Sequence, residues 1–177
     1  RDFVGEGAEH LVRRALDAAG GATDDIPALL LEYRERYAAQ QHARSFPYAG
    51  IEAMLATLTA RGVRLAVLSN KRDDFTRHLV AQRFGATPFV DVRGEREGVP
   101  RKPDPTAALE LSRALDVPPA RIGFVGDTKY DMLTAVAAGM YGIGVLWGFR
   151  GEAELRAAGA RALIATPAEL PALVQRG

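Results

Sequence analysis

The sequence predicts an α/β protein: a parallel sheet covered by helices on both faces, preceded by a smaller helical unit. Three observations predict it. Beyond residue 47, short apolar runs alternate with helical segments. Runs such as Leu65 to Leu68 and Ile122 to Val125 are continuously apolar, as suits strands buried on both faces. Before residue 46 the chain carries only helical patterning.

The elements follow in order. Leu11, Val12, Ala15, Leu16 and Ala19 recur at helical spacing, and Gly20-Gly21 stops that helix. Thr23, Asp24 and Asp25 offer caps, and Pro27 suits the first turn of a second helix. That helix is expected to run to about Ala43, with Leu30, Tyr33, Arg34 and Tyr37 on one stripe. The turn-rich stretch SFPYAG, residues 45–50, marks a boundary. It divides a partial helical unit, 1–46, from an α/β unit, 47–177. In the second unit a helix from Ile51 to about Ala60 leads to the strand RLAVLSN. A helix over about Asp73 to Phe84 and a short strand at Phe89 to Val92 follow. Asp104 and Pro105 open a helix that ends near Leu115. The strand Ile122 to Val125, a helix ending at Gly139 and the strand YGIGVLW come next. A helix near Glu152 to Ala158, the strand ALIA and a helix over Pro167 to Val174 complete the order.

The bulk properties exclude several classes. The chain has 177 residues, 47% hydrophobic and 25% charged, as in ordinary globular proteins. Its formal net charge of +1 gives no electrostatic footprint for nucleic acid or an anionic membrane. With no cysteine, it forms neither disulfides nor thiolate metal sites, which fits a reducing compartment. The uncharged run Met132 to Phe149 is long enough to span a bilayer. Its four glycines make a helix, a stop and a buried strand the better reading.

Three stretches could carry chemistry. In IGFVGDTKYD, Asp127 leaves a strand end and Asp131 lies in the first turn of the next helix. Two carboxylates there suit Mg²⁺, an oxygen-seeking cation. Equally, Asp127 could cap the helix and Asp131 answer its dipole. In VLSNK, Ser69 ends a strand and is followed by Asn70 and Lys71. A hydroxyl and free N–H groups at such a turn make an anion site, or simply a cap and a solvated lysine. In RKPDP, Lys102 precedes a proline that favours extended backbone; its ammonium could balance phosphate charge or be solvated. Asp104 reads as a cap, with Pro105 at the first helical position. His10, His42 and His78 have no ligand spacing and read as helix-face residues. Trp147 reads as structural.

The order of these stretches, each in its own kind of element, resembles the haloacid dehalogenase-like hydrolases and, among them, the phosphoglycolate phosphatase branch. VLSNK is similar to the family's second motif, Lys102 to the third and GDTKYD to the fourth. FVGEGAEHLVRRAL resembles the branch's helical cap, and PYAGIEAMLATLTARGVRLAVLSNK its approach to the second motif. The stretch AGMYGIGVLWGFRGEAEL resembles the strand and helix that follow. The resemblance implies a Rossmann-like core and a Mg²⁺-dependent phosphatase acting on a small-molecule phosphate ester such as 2-phosphoglycolate. It implies that Ser69, with the Asn70 backbone, holds the transferring phosphoryl group, and that Lys102 stabilises it. Asp127 would bind Mg²⁺, and Asp131 would orient the metal's waters or Lys102. The helices before Phe46 would form part of a cap that closes over the site, with Val4 to Gly7 near its substrate-facing loop. A cytoplasmic monomer or homodimer is the expectation, without nucleic acid or membrane partners.

The family's nucleophile is the first aspartate of an Asp-x-Asp pair on a first strand, and this sequence contains no Asp-x-Asp. Asp91 is expected to end a different strand, and Asp73 and Asp74 to begin a helix. Asp2 has no strand leading into it. The chain opens at Arg1 without a methionine, and the expectation is that it starts inside the cap, after that first strand. In the family this strand lies between those ending at Ser69 and Asp127. Without it, two inner strand edges should be unpaired and the chain alone inactive. A pyrophosphatase, a sugar-phosphate mutase, a non-catalytic phosphate- or partner-binding domain, and a purely structural α/β domain are the alternatives.

Overall fold

The structure, a computed structural model, describes residues 8–21, 23–40 and 45–174. The chain divides into two compact units, Arg1–Phe46 and Pro47–Gly177.

In the first unit, helix α1 (Ala8–Ala19) and helix α2 (Ile26–Gln40) are joined through a 3₁₀ turn at Thr23–Asp25. Val12 from α1 packs with Ile26 and Leu30 from α2, and Leu16 and Tyr33 border them. The expected α1 stripe is narrower than its spacing suggested, because Ala15 and Ala19 stay exposed. The extension of α2 toward Ala43, His42, and Val4 to Gly7 lie outside the described residues. So do the side chains of Arg34 and Tyr37.

The second unit contains α3 (Ile51–Ala60), β1 (Leu65–Arg72), α4 (Asp73–Phe84), β2 (Phe89–Glu95) and α5 (Thr106–Leu115). Then come β3 (Gly123–Gly126), α6 (Lys129–Ala137), β4 (Tyr141–Val145), α7 (Glu152–Ala157), β5 (Ala162–Ile164) and α8 (Leu170–Leu173). Every strand pairing is parallel. Ile143 and Val145 of β4 pack with Leu58 of α3, Ile164 of β5 and Leu170 of α8. On the other face, Gly142 meets Ala135 and Met132 of α6, and Gly144 meets Leu155 of α7. Helices therefore cover both faces, as expected, and the alternation of β4 places its large side chains on one of them.

Several boundaries differ from the sequence reading. Strand β2 runs on to Glu95, so Asp91 lies inside the strand rather than at its end. There its Oδ2 accepts from Arg93 Nε at 2.6 Å. Strand β4 stops at Val145, short of Trp147. Helix α5 begins at Thr106, although Asp104 Oδ1 still accepts from the Thr106 N–H at 2.8 Å. The expected last helix opens as a 3₁₀ turn at Pro167–Glu169. No described helix is long and apolar enough to cross a membrane.

The sheet itself is split. Strands β1 and β2 form one ladder, and β3, β4 and β5 form another, in the order β3-β4-β5. A cavity of about 1000 Å³ lies along both β1 and β3, lined by Leu65, Ala66 and Leu68 from one strand and Phe124 and Val125 from the other. Helices α3 and α5 close it with Leu58 and Ala108. Val125 stays 42% exposed in the middle of β3, where a strand covered on both sides would bury it.

An ionic network stiffens the β2 edge. Glu110 Oε2 on α5 accepts from Arg93 NH1 and Arg96 NH2, both at 2.5 Å. The Arg96 hydrogen bond holds the Glu110 carboxyl below its ordinary value against the effect of burial, and the charges of Arg96, Arg93 and Arg113 add to it. At Asp73 burial pulls the other way, but the Gly94 N–H and Arg77 outweigh it and lower the carboxyl too. A lowered carboxyl stabilises the fold fully above its unfolded value and loses that contribution as pH falls through the folded one. The unfolding temperature should therefore drop between about pH 5 and about pH 3. Glu110→Gln should be less stable at neutral pH and flatten that drop; thermal melts across the range check both.

Candidate active site

The site lies where β3 ends and where β1 loses its regular register, between Leu68 and Arg72. Strand β3 stops at Gly126, and the chain turns through Asp127 into α6. The cap of α6 is Thr128, not Asp127. The Thr128 hydroxyl accepts from the Asp131 N–H, and Asp131 Oδ2 accepts from the Thr128 N–H at 3.0 Å. The T-x-x-D spacing of Thr128 and Asp131 is the sequence signature of this reciprocal cap. It relieves Asp127 of the capping role that its position suggested. Gly126 makes room, since a Cβ there would stand 2.3 Å from Asp131 Cβ.

Asp131 is only 6% exposed. With Oδ2 committed to Thr128, its Oδ1 meets Lys102 Nζ at 2.6 Å. Lys102 is not solvated, as a loop lysine ordinarily is: its side chain is 11% exposed. Its ammonium also donates to Leu68 O of β1 at 3.2 Å and lies 5.9 Å from the centre of the Phe124 ring. This single cation bridges the middle of β1 to the start of α6.

Asp127 is held by a different loop. Its Oδ2 accepts from the Phe149 N–H at 2.9 Å, which leaves Oδ1 for other partners. The loop after β4 can approach so closely only because residue 148 is glycine. A Cβ at Gly148 would fall 2.2 Å from Asp127 Cβ and 2.3 Å from Oδ2. Sequence reasoning had no signal for Gly148 or for the Phe149 N–H, because the contact joins residues 22 apart.

Ser69 does not end its strand, since β1 runs on to Arg72. It lies where β1 loses its regular register with β2, between Leu68 and Arg72, and its Oγ accepts the Lys71 N–H at 3.1 Å rather than capping α4. The N-cap of α4 is Arg72, which makes no side-chain capping bond. Asn70 turns its carboxamide toward Lys102, with Nδ2 donating to Lys102 O at 3.1 Å and Oδ1 accepting the Lys102 N–H at 2.9 Å. Asn70, Lys102 and Asp131 are thus joined directly, and Ser69 and Asp127 enter through their chain neighbours. His10 and His78 are exposed, and Trp147 borders the core of Leu58 and Ile143.

The donor set can be matched to a metal. Asp127 offers a hard oxygen at Oδ1, whereas both oxygens of Asp131 already have partners. No group of three or more His, Cys, Asp or Glu side chains that could hold a metal ion occurs among the described residues. Such a site fits a cation that takes one or two carboxylates and completes its shell with water and phosphate oxygens, as Mg²⁺ does.

A family model for the haloacid dehalogenase-like hydrolases matches residues 2–139. The chain belongs to this family. Within the family it falls with the phosphoglycolate phosphatases. It is 37% identical over 156 residues to the phosphoglycolate phosphatase of Rhodospirillum rubrum, covering 85% of this chain and 65% of that one. To the plasmid-borne phosphoglycolate phosphatase of Cupriavidus necator it is 34% identical over 175 residues, covering 97% of this chain and 75% of the relative. A crystal structure from Lactobacillus delbrueckii, described provisionally as a phosphoglycolate phosphatase, superposes with a TM-score of 0.87 at 30% identity. It covers 99% of this chain and 82% of its own. The chain spans less than two thirds of several relatives, 65% of the Rhodospirillum protein and 61% of one from Pseudomonas putida. The haloacid dehalogenase-like fold accounts for the parallel strands and the helices that cover them.

The Lys102–Asp131 pair is testable apart from any activity. Removing one partner of a buried pair leaves the other charge uncompensated. Asp131→Ala should cost roughly 3–5 kcal/mol in urea unfolding. Combining it with Lys102→Met should recover part of that loss. A single variant as stable as the parent would contradict the burial.

Proposed function

We propose that the chain is the phosphate-handling part of a Mg²⁺-dependent phosphatase acting on a small phosphomonoester of the 2-phosphoglycolate class. The observation that carries this is the buried Lys102–Asp131 pair, which links Leu68 of β1 to the first turn of α6, four residues after an Asp127 that keeps one oxygen free. A dianionic phosphate approaching a carboxylate nucleophile meets repulsion, and the site answers it with fixed positive charge. Lys102 supplies an ammonium whose place is set before substrate arrives. The Ser69 hydroxyl, with the Asn70 backbone beside it, would donate to phosphate oxygens. Asp131 holds the ammonium in place rather than ligating metal with both oxygens. Asp127 Oδ1 would take Mg²⁺, which when bound adds Lewis-acid stabilisation of the transferring phosphoryl group.

The nucleophile is the part this reading assigns to a further strand between β1 and β3. The split sheet, the cavity along it and the exposure of Val125 support that placement. The chain as it stands should release no phosphate from 2-phosphoglycolate in the presence of Mg²⁺. A form that also carries an Asp-x-Asp strand should turn it over. Sustained turnover by this chain alone overturns the assignment.

Two variants separate the roles in the active form. Asp127→Ala should abolish Mg²⁺-dependent turnover. Ser69→Ala should cost about 10²-fold, as for one phosphate donor, and keep the Mg²⁺ dependence. Gly148→Ala should weaken Mg²⁺ binding in calorimetry by displacing Asp127. Equal losses and equal metal dependence in the first two variants would contradict the division of labour.

A further inference from the structure

Asn70 has a role that its place beside Ser69 does not suggest. Lys102 lies in a stretch of turns between β2 and α5, where no ladder satisfies its backbone. The Asn70 carboxamide replaces the ladder, donating from Nδ2 to Lys102 O and accepting the Lys102 N–H on Oδ1. A carboxamide has the donor and acceptor of a peptide group side by side, so one side chain closes both bonds. From there the Lys102 side chain runs back to β1, where Nζ reaches Leu68 O. The lysine is therefore tied to β1 at both ends, by Asn70 at its backbone and by Leu68 at its ammonium.

We propose that Asn70 is the positioning residue of Lys102: its carboxamide fixes the lysine backbone so that the ammonium stands between Leu68 O of β1 and Asp131. The proposal rests on the reading of Lys102 as the cation that meets phosphate. A lysine carries four rotatable bonds, and a loop that drifts passes its drift to the ammonium. Alignment costs of this kind appear in transition-state stabilisation more than in folding. Aspartate could still accept the Lys102 N–H but has no donor for the carbonyl. Glutamine has both groups one methylene too far out. The positioning role thus belongs to asparagine by its chemistry and by its length.

Two measurements on the full chain test this. Amide hydrogen exchange by NMR reads the clasp directly: Asn70→Ala should speed exchange at the Lys102 amide at least about tenfold, and Asn70→Asp should retain its protection. Titration with inorganic phosphate in the presence of Mg²⁺ reads the consequence. Asn70→Ala should weaken phosphate binding by about the same factor as Lys102→Ala, and should add no further loss in the Lys102→Ala background. An unchanged Lys102 amide in Asn70→Ala overturns the clasp. Additive losses in the double variant overturn the positioning role, since Asn70 would then act on phosphate directly or through the fold at large. If the unsubstituted chain does not bind phosphate, the functional reading and the positioning role fall together, while the exchange result still decides the clasp.

Discussion

The pairing of Lys102 with Asp131 is the constraint around which this site is arranged. Burying an ammonium is costly unless a carboxylate and further hydrogen bonds surround it. Every nearby feature answers that demand. Asp131 is oriented by the cap it forms with Thr128, Leu68 lends a carbonyl, and Asn70 holds the lysine's backbone. Gly126 is small because Asp131 lies against it. The same bonds join β1, in one ladder, to α6, the helix that follows β3 of the other.

The two aspartates at the α6 start divide their work through this arrangement. By spacing alone, Asp127 could cap the helix and Asp131 answer its dipole, or both could serve a metal. In the structure Thr128 takes the cap, Asp131 spends both oxygens on cap and lysine, and Asp127 keeps one oxygen available. The neighbouring loop enforces the division, since the Phe149 N–H fixes one Asp127 oxygen and Gly148 lets the loop come near enough to do so. Two residues of one type, four apart in the chain, thus enter different hydrogen-bond arrangements by way of their partners.

Much of this architecture was legible in the sequence, for identifiable reasons. The continuous apolar runs at β1 and β3 mark strands buried on both faces, and the glycines and prolines mark the turns between elements. Boundaries were less legible where a strand continues through charged residues. Arg93 and Glu95 look like loop residues, yet β2 carries them because Asp91, Glu110 and Arg101 supply partners. At the site, Ser69, Lys102, Asp127 and Asp131 could be picked out from their neighbours. Whether Lys102 was solvated could not, because its burial depends on Leu68 and Asp131, 34 and 29 residues away. Gly148 was invisible for the same reason. The Thr128 cap, by contrast, was written in local spacing and could have been found.

The split sheet has a bearing on how the molecule behaves in a test tube. Strand edges that carry unsatisfied N–H and C=O groups are templates for other strands. Here β1 and β3 line the same apolar cavity, and Val125 leaves side-chain surface uncovered beside it. Concentration would then act on the chain as a competitor for that cavity: in dilute solution the edges meet water, and in crowded solution they meet one another. Solubility is thereby coupled to the same stretch of backbone that places Ser69 and Asp127 at the site.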